Sequence, residues 1–423
     1  MAAVVRAKSR SLEAAARHPQ PWSAAESRAR LGPVQLTGPL LRRAHPSALA
    51  LVLAAGLGGV ACSPAGRPAG GDTKPVAADR STKPIAPRPA GGGRSSTPPA
   101  RARTALVTIA AVGDTMLGDT SDPPPDPEGY LGPVRRELDR GAQIVFGNLE
   151  GTLTTATASK CGPVKRHRRK DCFAFRDPPG YVRYLRHTGF TILNDANNHS
   201  FDFGAAGQAQ TVRTIHAAGL AQTGLPGEIT FVRVRGVRLA FVAFAPYAYD
   251  ASLLDIPAAR ALIKRAAGRA RVVVVYMHAG AEGAAADHVT GREEYYLGED
   301  RGNPEAFAHL AIRAGASLVI ASGPHVLRGL QFYRRHLIAY SLGDFASYYD
   351  FGTTGDLDMS MILHVTLTAA GVFEHARIYP IQFTGPGRPV PGGDAISFVS
   401  RLSARDFGAT AARVLPSGVI KAP

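Results

Sequence analysis

The rhythm of hydrophobic and polar positions changes at Thr104. Beyond it, short apolar runs alternate with stretches whose apolar residues recur every three or four positions, the periods of strand and helix. The runs predict strands over 105–112, 144–146, 191–193, 231–234, 237–245, 271–277, 317–320, 337–341, 359–368 and 372–380. The helical spacing predicts helices over 129–140, 180–187, 205–218, 258–267 and 304–314. Alternation of this kind implies an α/β domain. The last strands follow one another without helices between them, which predicts a second, antiparallel sheet. No internal repeat is apparent.

The chain before Thr104 has another texture. Arg42 and Arg43 precede an uncharged run from Ala48 to Ala61, the form of a secretory signal peptide. The run is short for a membrane span, which takes about 20 residues. It ends Gly59-Val60-Ala61-Cys62, small residues before a cysteine, as in a bacterial lipobox with Gly59 in place of the usual aliphatic residue. Cys62 is therefore the expected lipidation site, and the protein is expected to be secreted and membrane-anchored on the extracytoplasmic face. Cleavage after Ala61 by the ordinary signal peptidase, or an uncleaved anchor, are the alternatives. Residues 63–103 hold eight prolines among many Gly, Ala and Ser. They cannot bury enough apolar surface to offset the entropy of ordering, and read as a tether. The expected organisation is a leader over 1–62, a tether over 63–103, a folded domain over 104–385 and a C-terminal extension over 386–423.

Charge changes little once it is located. Of the net +16 on 423 residues, the first 103 residues carry 16 Lys and Arg against 4 Asp and Glu. Residues 160–171 add six basic residues and one acid, so the rest of the domain is close to neutral. A nucleic-acid reader spreads basic residues along a folded face, and that partner class is set aside. Cys161 and Cys172 flank the basic run. In an exported domain they are expected to form a disulfide, and closing a loop of this size stabilises a fold by about 2–3 kcal/mol.

The candidate chemistry lies at the strand ends. After successive predicted strands come Gly113-Asp114-Thr115-Met116-Leu117-Gly118, Gly147-Asn148-Leu149-Glu150, Asn194-Asp195-Ala196-Asn197-Asn198-His199, His278-Ala279-Gly280-Ala281-Glu282, Ser322-Gly323-Pro324-His325 and Leu342-Gly343-Asp344-Phe345. Ligands of α/β sheets gather outside the carboxyl ends of the strands. Carboxylate, amide oxygen and imidazole together suit Mn, Fe, Zn or Mg. Any one of these residues alone would read as a turn or a helix cap; the set, and Asn197-Asn198-His199 above all, does not.

These motifs, in this order, resemble the CapA (poly-γ-glutamate capsule synthesis) family over roughly residues 104–385, and that family is similar in turn to calcineurin-like metallophosphoesterases. The resemblance implies a two-sheet β-sandwich flanked by helices, with one or two divalent metal ions at the sheet edge. It implies Asp114, Glu150, Asn198, His278 and His325 as metal ligands, with Glu150 bridging, and His199 as the acid that protonates a leaving group. Asn148, Arg176 and Glu282 are expected at the substrate. The long connection between Glu282 and the helix beginning near Pro304, which holds Tyr295, Tyr296, Asp300 and Arg301, is a candidate lid. Three places depart from the pattern: Met116, and Ser322 or Gly323, stand where metallophosphoesterases carry histidines, and Asp344 stands where the family usually has Asn. The resemblance further implies a cell-surface role in synthesis, anchoring or release of an anionic polymer, through a metal-dependent hydrolase site. A metal-free module that binds the polymer or a cell-wall component is the alternative.

Overall fold

The computed structural model describes residues 105–118, 124–162, 172–348 and 353–423. The expected leader, its Cys62 and the tether lie outside the described residues, as does most of the basic run. Among the described residues no helix is long and apolar enough to cross a membrane.

Two β-sheets, with strands numbered along the chain, share one core. The first holds β1 (Leu106–Met116), β2 (Ile144–Leu149), β5 (Ile192–Asn194), β6 (Ala221–Thr223), β15 (Asp344–Ser347), β16 (Met359–Thr368), β17 (Phe373–Thr384), β18 (Arg388–Pro391), β19 (Arg413–Val414) and β20 (Val419–Lys421). The second holds β7 (Thr230–Val234), β8 (Val237–Phe244), β9 (Val272–His278), β12 (Leu318–Ser322), β13 (Leu330–Tyr333) and β14 (His336–Ala339). Two short pairs stand apart: β3 (Thr152–Leu153) with β4 (Arg176–Asp177), and β10 (Tyr295–Tyr296) with β11 (Glu299–Asp300). Among the described residues seven α-helices accompany them: α1 (Pro127–Leu131), α2 (Arg135–Asp139), α3 (Val182–Thr188), α4 (Gly204–Ala217), α5 (Ile256–Ala267), α6 (Pro304–Ala314) and α7 (Ala395–Phe407).

The period-two rule explains the layering. In β9, Val272, Val274 and Tyr276 point into the core between the sheets, beside Ile109, Phe146, Phe241 and Leu363. Their neighbours Val273, Val275 and Met277 point the other way, against Leu262 and Ile263 of α5 and Phe307 and Ala311 of α6. On the far side of the first sheet, Ala110, Val112 and Val145 pack against Leu131, Leu138, Leu185 and Ile215. The result is two central sheets with helices outside them, the α/β architecture the sequence implies. Phe146 reaches across the interface to Phe241 and Tyr276, with ring centroids 5.8 and 5.4 Å away.

The helix expected over 129–140 is two short ones, α1 and α2, whereas α5 and α6 show in their sequences how their ends are set. Asn303 accepts the Ala306 N–H at 2.9 Å, Pro304 takes the first helical position of α6, and Gly315 ends it in the left-handed region. Asp255 caps α5 in the same way.

Two expectations are corrected. The antiparallel strands late in the chain do not build a separate sheet: β16 pairs along β1, and β17 along β16, so they extend the first sheet. The second sheet is instead parallel at its centre, from β8 through β9 and β12 to β14. Nor is 386–423 an appendage. It supplies β18, β19 and β20 to the first sheet, and α7 buries Phe398, Val399 and Leu402 in the central core. An amphipathic helix with a buried stripe belongs to the domain it covers.

Candidate functional site

The parallel strands of both sheets end at one edge. Asp114 lies near the end of β1, Asn148 in β2 with Glu150 just beyond it, His278 ends β9, and His325 follows β12. All five are buried, as is Asp344 at the start of β15. Because β15 runs parallel to β1, with Asp114 opposite Asp344, the chain delivers two carboxylates to one point. This needs an unusually close approach. The Asp114 N–H donates to the Gly343 carbonyl at 3.0 Å, and a Cβ on Gly113 would lie 1.8 Å from that oxygen, so only glycine fits. His325 is held with φ of 58°, a strained conformation for a side chain of this kind.

Two overlapping groups of donor atoms result. Asp114, Glu150 and His278 form one and Asp114, His325 and Asp344 the other, each with atoms within 4.8 Å of one another. Asp114 is thus the carboxylate common to both, the place expected for Glu150. Glu150 is nonetheless central: its Oε1 lies 3.7 Å from the Nε2 atoms of both His278 and His325. Asp344 stands in the sequence among the strand-end residues and as a departure from the family pattern, but not among the expected ligands. Here its Oδ1 is 2.7 Å from His325 Nδ1.

Asn148 has a different task from the one expected. It is fully buried; its amide donates to Asp114 Oδ1 at 2.7 Å, and its oxygen accepts from Asn194 and Asn197. It braces Asp114 and locks the Asn194–His199 loop to β2. Ser322, at a position where a histidine is usual, donates its hydroxyl to Asp114 and is itself bonded to Tyr276. The Gly323 N–H donates to Asp114 Oδ2 at 3.1 Å. Arg176 is engaged elsewhere: its guanidinium bonds the Ala156 carbonyl and lies over the Phe203 ring. Glu282 does reach the cluster, 3.7 Å from His325 Nε2, and is gripped by Arg301 at 2.7 Å.

His199 stands beside the cluster with a retinue of its own. Its Nδ1 is 2.8 Å from Asp202 Oδ2, and the Phe175 ring lies against its imidazole at 4.2 Å. Asp202 also accepts the Phe175 N–H at 2.6 Å and pairs with Lys160 at 2.5 Å. Lys160 precedes Cys161 and Phe175 follows Cys172 by three residues, and these cysteines are joined as a disulfide.

The electrostatics describe a nest of acceptors in need of a cation. Both Glu150 oxygens, Asn198 Oδ1, His278 Nε2 and Asp344 Oδ2 are buried without a hydrogen-bond partner among the described residues. Burial, and next the Asp114 charge, push the Glu150 carboxyl well up. Burial raises Asp344 to about 6 despite the opposing charge of His325. For Asp114 burial is outweighed: hydrogen bonding to His325, the charges of His278 and His325, and the Ser322 hydroxyl hold it at about 2. Burial drives His278 down to about 3, so its imidazole is neutral and able to ligate. Burial would do the same to His325, but the Asp344 and Glu150 carboxylates and the Asp114 hydrogen bond raise it. Acceptor-only atoms that must otherwise hold protons fit a divalent ion, whose binding would release those protons.

Comparison with known proteins bears on this edge. Residues 108–349 match the family described as "Bacterial capsule synthesis protein PGA_cap", more than half of the chain. The chain belongs to that capsule synthesis family. Within it, the chain is 26% identical over 307 residues to the PGA biosynthesis protein CapA of Bacillus subtilis (strain 168), covering 67% of this chain and 74% of that protein. It is 31% identical over 208 residues to the capsule biosynthesis protein CapA of Bacillus anthracis, covering 43% of this chain and 45% of that protein. Among solved structures, a purple acid phosphatase, PPD1, from yellow lupin (Lupinus luteus) seeds aligns with a TM-score of 0.32 at 11% identity, over 67% of this chain and 53% of that one. GAP50, the anchor in the inner membrane complex of Plasmodium, aligns with a TM-score of 0.33 at 9% identity, over 70% of this chain and 95% of that one.

Proposed function

We propose that this capsule synthesis family member is a metal-dependent hydrolase that acts on an anionic capsular polymer outside the cell, tethered there by a lipid on Cys62. The observation that carries the hydrolase reading is the set of orphaned acceptors at Glu150, Asn198, His278 and Asp344, all buried at one sheet edge. Asp114, Glu150, Asn198, His278, His325 and Asp344 would hold the ion, and Mn, Fe, Zn or Mg suits these donors. A divalent ion in such a site acts as a Lewis acid and makes hydroxide available near neutral pH.

The chain's own residues do the rest. Asp202, already accepting from Phe175 and paired with Lys160, fixes the proton of His199 on Nδ1. Nε2 then carries the lone pair. Burial, only partly offset by Asp202, lowers the His199 pKa, so the imidazole is neutral at rest. It therefore first accepts a proton and can then give it to a leaving group, one step earlier in the cycle than the acid role implied by resemblance. Asn148 and Ser322 hold Asp114 in place. A reading without metal, as a polymer-binding module, draws on Met116 and Ser322, which remove two customary histidines.

Metal analysis of protein purified without chelator tests this directly. The wild-type chain is expected to hold a divalent ion and Glu150→Gln to lose it together with turnover. A wild-type protein free of Mn, Fe, Zn and Mg, with Glu150→Gln indistinguishable from it, would refute the hydrolase reading and leave the binding module.

A further inference from the structure

Orphaned acceptors call for a cation, and an orphaned donor calls for an anion. Arg301 is such a donor, next to the same cluster. It directly follows β11 and is only 3% exposed. Its Nη2 donates to Glu282 at 2.7 Å, and Glu282 lies 3.7 Å from His325. Its Nε is 3.3 Å from Glu299, an exposed residue. Nε and Nη1 nevertheless have no hydrogen-bond partner among the described residues. The guanidinium carbon sits between the rings of Tyr247 and Tyr296, 5.8 and 5.7 Å from their centroids. Its charge is met by Glu282 and Glu299, but buried N–H groups without a hydrogen-bond partner stay costly unless something binds them.

The surroundings give that something a shape. Tyr247 stacks on Tyr249 at 5.2 Å, and Tyr249 on Phe201 at 4.9 Å, with near-parallel planes. All three rings are half-buried. Phe201 is two residues beyond His199 in the chain, and Arg301 lies over the Tyr247 ring at the other end of the row. The tight hairpin that carries Tyr296, turned at Leu297 and Gly298 with φ of 48° and 83°, flanks the Arg301 end.

We propose that Arg301 is the anion receptor of this site: its unsatisfied N–H groups hold an oxyanion of the substrate, a carboxylate or a phosphate, beside the metal cluster, while the Tyr247–Tyr249–Phe201 row supports the adjoining apolar part of the chain. The inference rests on the metal-centre reading above and adds the residue that selects an acidic substrate. Each unsatisfied N–H can give either oxyanion a charge-assisted hydrogen bond from a fixed planar frame, which a freely rotating ammonium does not copy. Glu299 competes for the same guanidinium from the solvent side.

Titration calorimetry on the full chain loaded with Mn, with glutarate and inorganic phosphate as separate probes, tests this. Arg301→Met is expected to weaken the bound probe about ten- to a hundredfold, the loss of one or two charge-assisted hydrogen bonds. Arg301→Lys should fall between. Glu299→Gln should tighten binding, a gain that a merely structural arginine would not produce. Whichever probe responds to Arg301 identifies the oxyanion. The proposal is overturned if the wild type binds neither probe, or if Arg301→Met, with unchanged metal content and melting temperature, binds both as the wild type does. Should Arg301→Met fail to fold, unchanged affinity in both Arg301→Lys and Glu299→Gln overturns it equally. A wild type that lacks metal yet shows Arg301-dependent binding sinks the hydrolase reading and supports this one.

Discussion

The crossing of β1 and β15 makes a sharp prediction for Gly113→Ala. The new Cβ would sit 1.8 Å from the Gly343 carbonyl oxygen, where contacts under 3.0 Å essentially never occur, so the two backbones must part by at least 1.2 Å. The 3.0 Å hydrogen bond from Asp114 to Gly343 then breaks. Overpacking of this kind costs about 1–3 kcal/mol and the lost bond about 1 kcal/mol more. With about 2.1 cal/mol/K of unfolding entropy per residue over a domain of roughly 300 residues, the melting temperature should fall by about 3–6 °C. The larger effect is on metal. Asp114 and Asp344 adjoin the two glycines, and ligand distances tolerate only about 0.2 Å. Gly113→Ala should therefore lose its ion on dialysis while remaining folded. Calorimetry and metal analysis on the same sample read both quantities. Gly132→Ala is the control, since a Cβ there meets nothing within 4 Å. A Gly113→Ala protein with wild-type metal content and melting temperature would show that the crossing does not set the site.

Two further outcomes follow from the same geometry. Asp202→Asn keeps the shape but removes the carboxylate that orients His199, and should lower turnover about a hundredfold or more with metal retained; equal loss of metal would make Asp202 a structural support only. Asp195 is fully buried, both its oxygens lack a hydrogen-bond partner among the described residues, and burial, then Asp250 and Glu228, raise its pKa well above 3.8. The folded state thus binds the proton more tightly than the unfolded one, so its contribution is present below the unfolded value and is lost as pH rises toward the folded one. Asp195→Asn should match the wild type at about pH 3.5 and exceed it in melting temperature increasingly toward about pH 8; a gap independent of pH would contradict the assignment.

Much of this was legible because buried parallel strands read as unbroken apolar runs. Val272 to Met277 could be little else, and its polar successor His278 marks the strand end. The helices over 258–267 and 304–314 announced themselves by period. Less legible was pairing. Nothing in the sequence of β16 says that its partner is β1, some 250 positions earlier, rather than a strand of a new sheet. The short β6 and β15 escaped notice because Gln222, Asp344 and Ser347 interrupt their apolar character; burial supplied by neighbours overrides so weak a local signal. Within the site, residue types pointed to Asp114, Glu150, His278 and His325 gathering at one edge. Asn148 and Arg176 did not follow, because a side chain's choice of partner depends on distances that no spacing rule encodes. Asp202 acts through His199, and Arg301 stood in the sequence only within a candidate lid, because the burial of its guanidinium leaves no mark there.

The staple between Cys161 and Cys172 lies on the two arms that reach Asp202, one through Lys160 and the other through the Phe175 N–H. One covalent tie thus joins the two segments whose contacts hold the carboxylate beside the His199 imidazole.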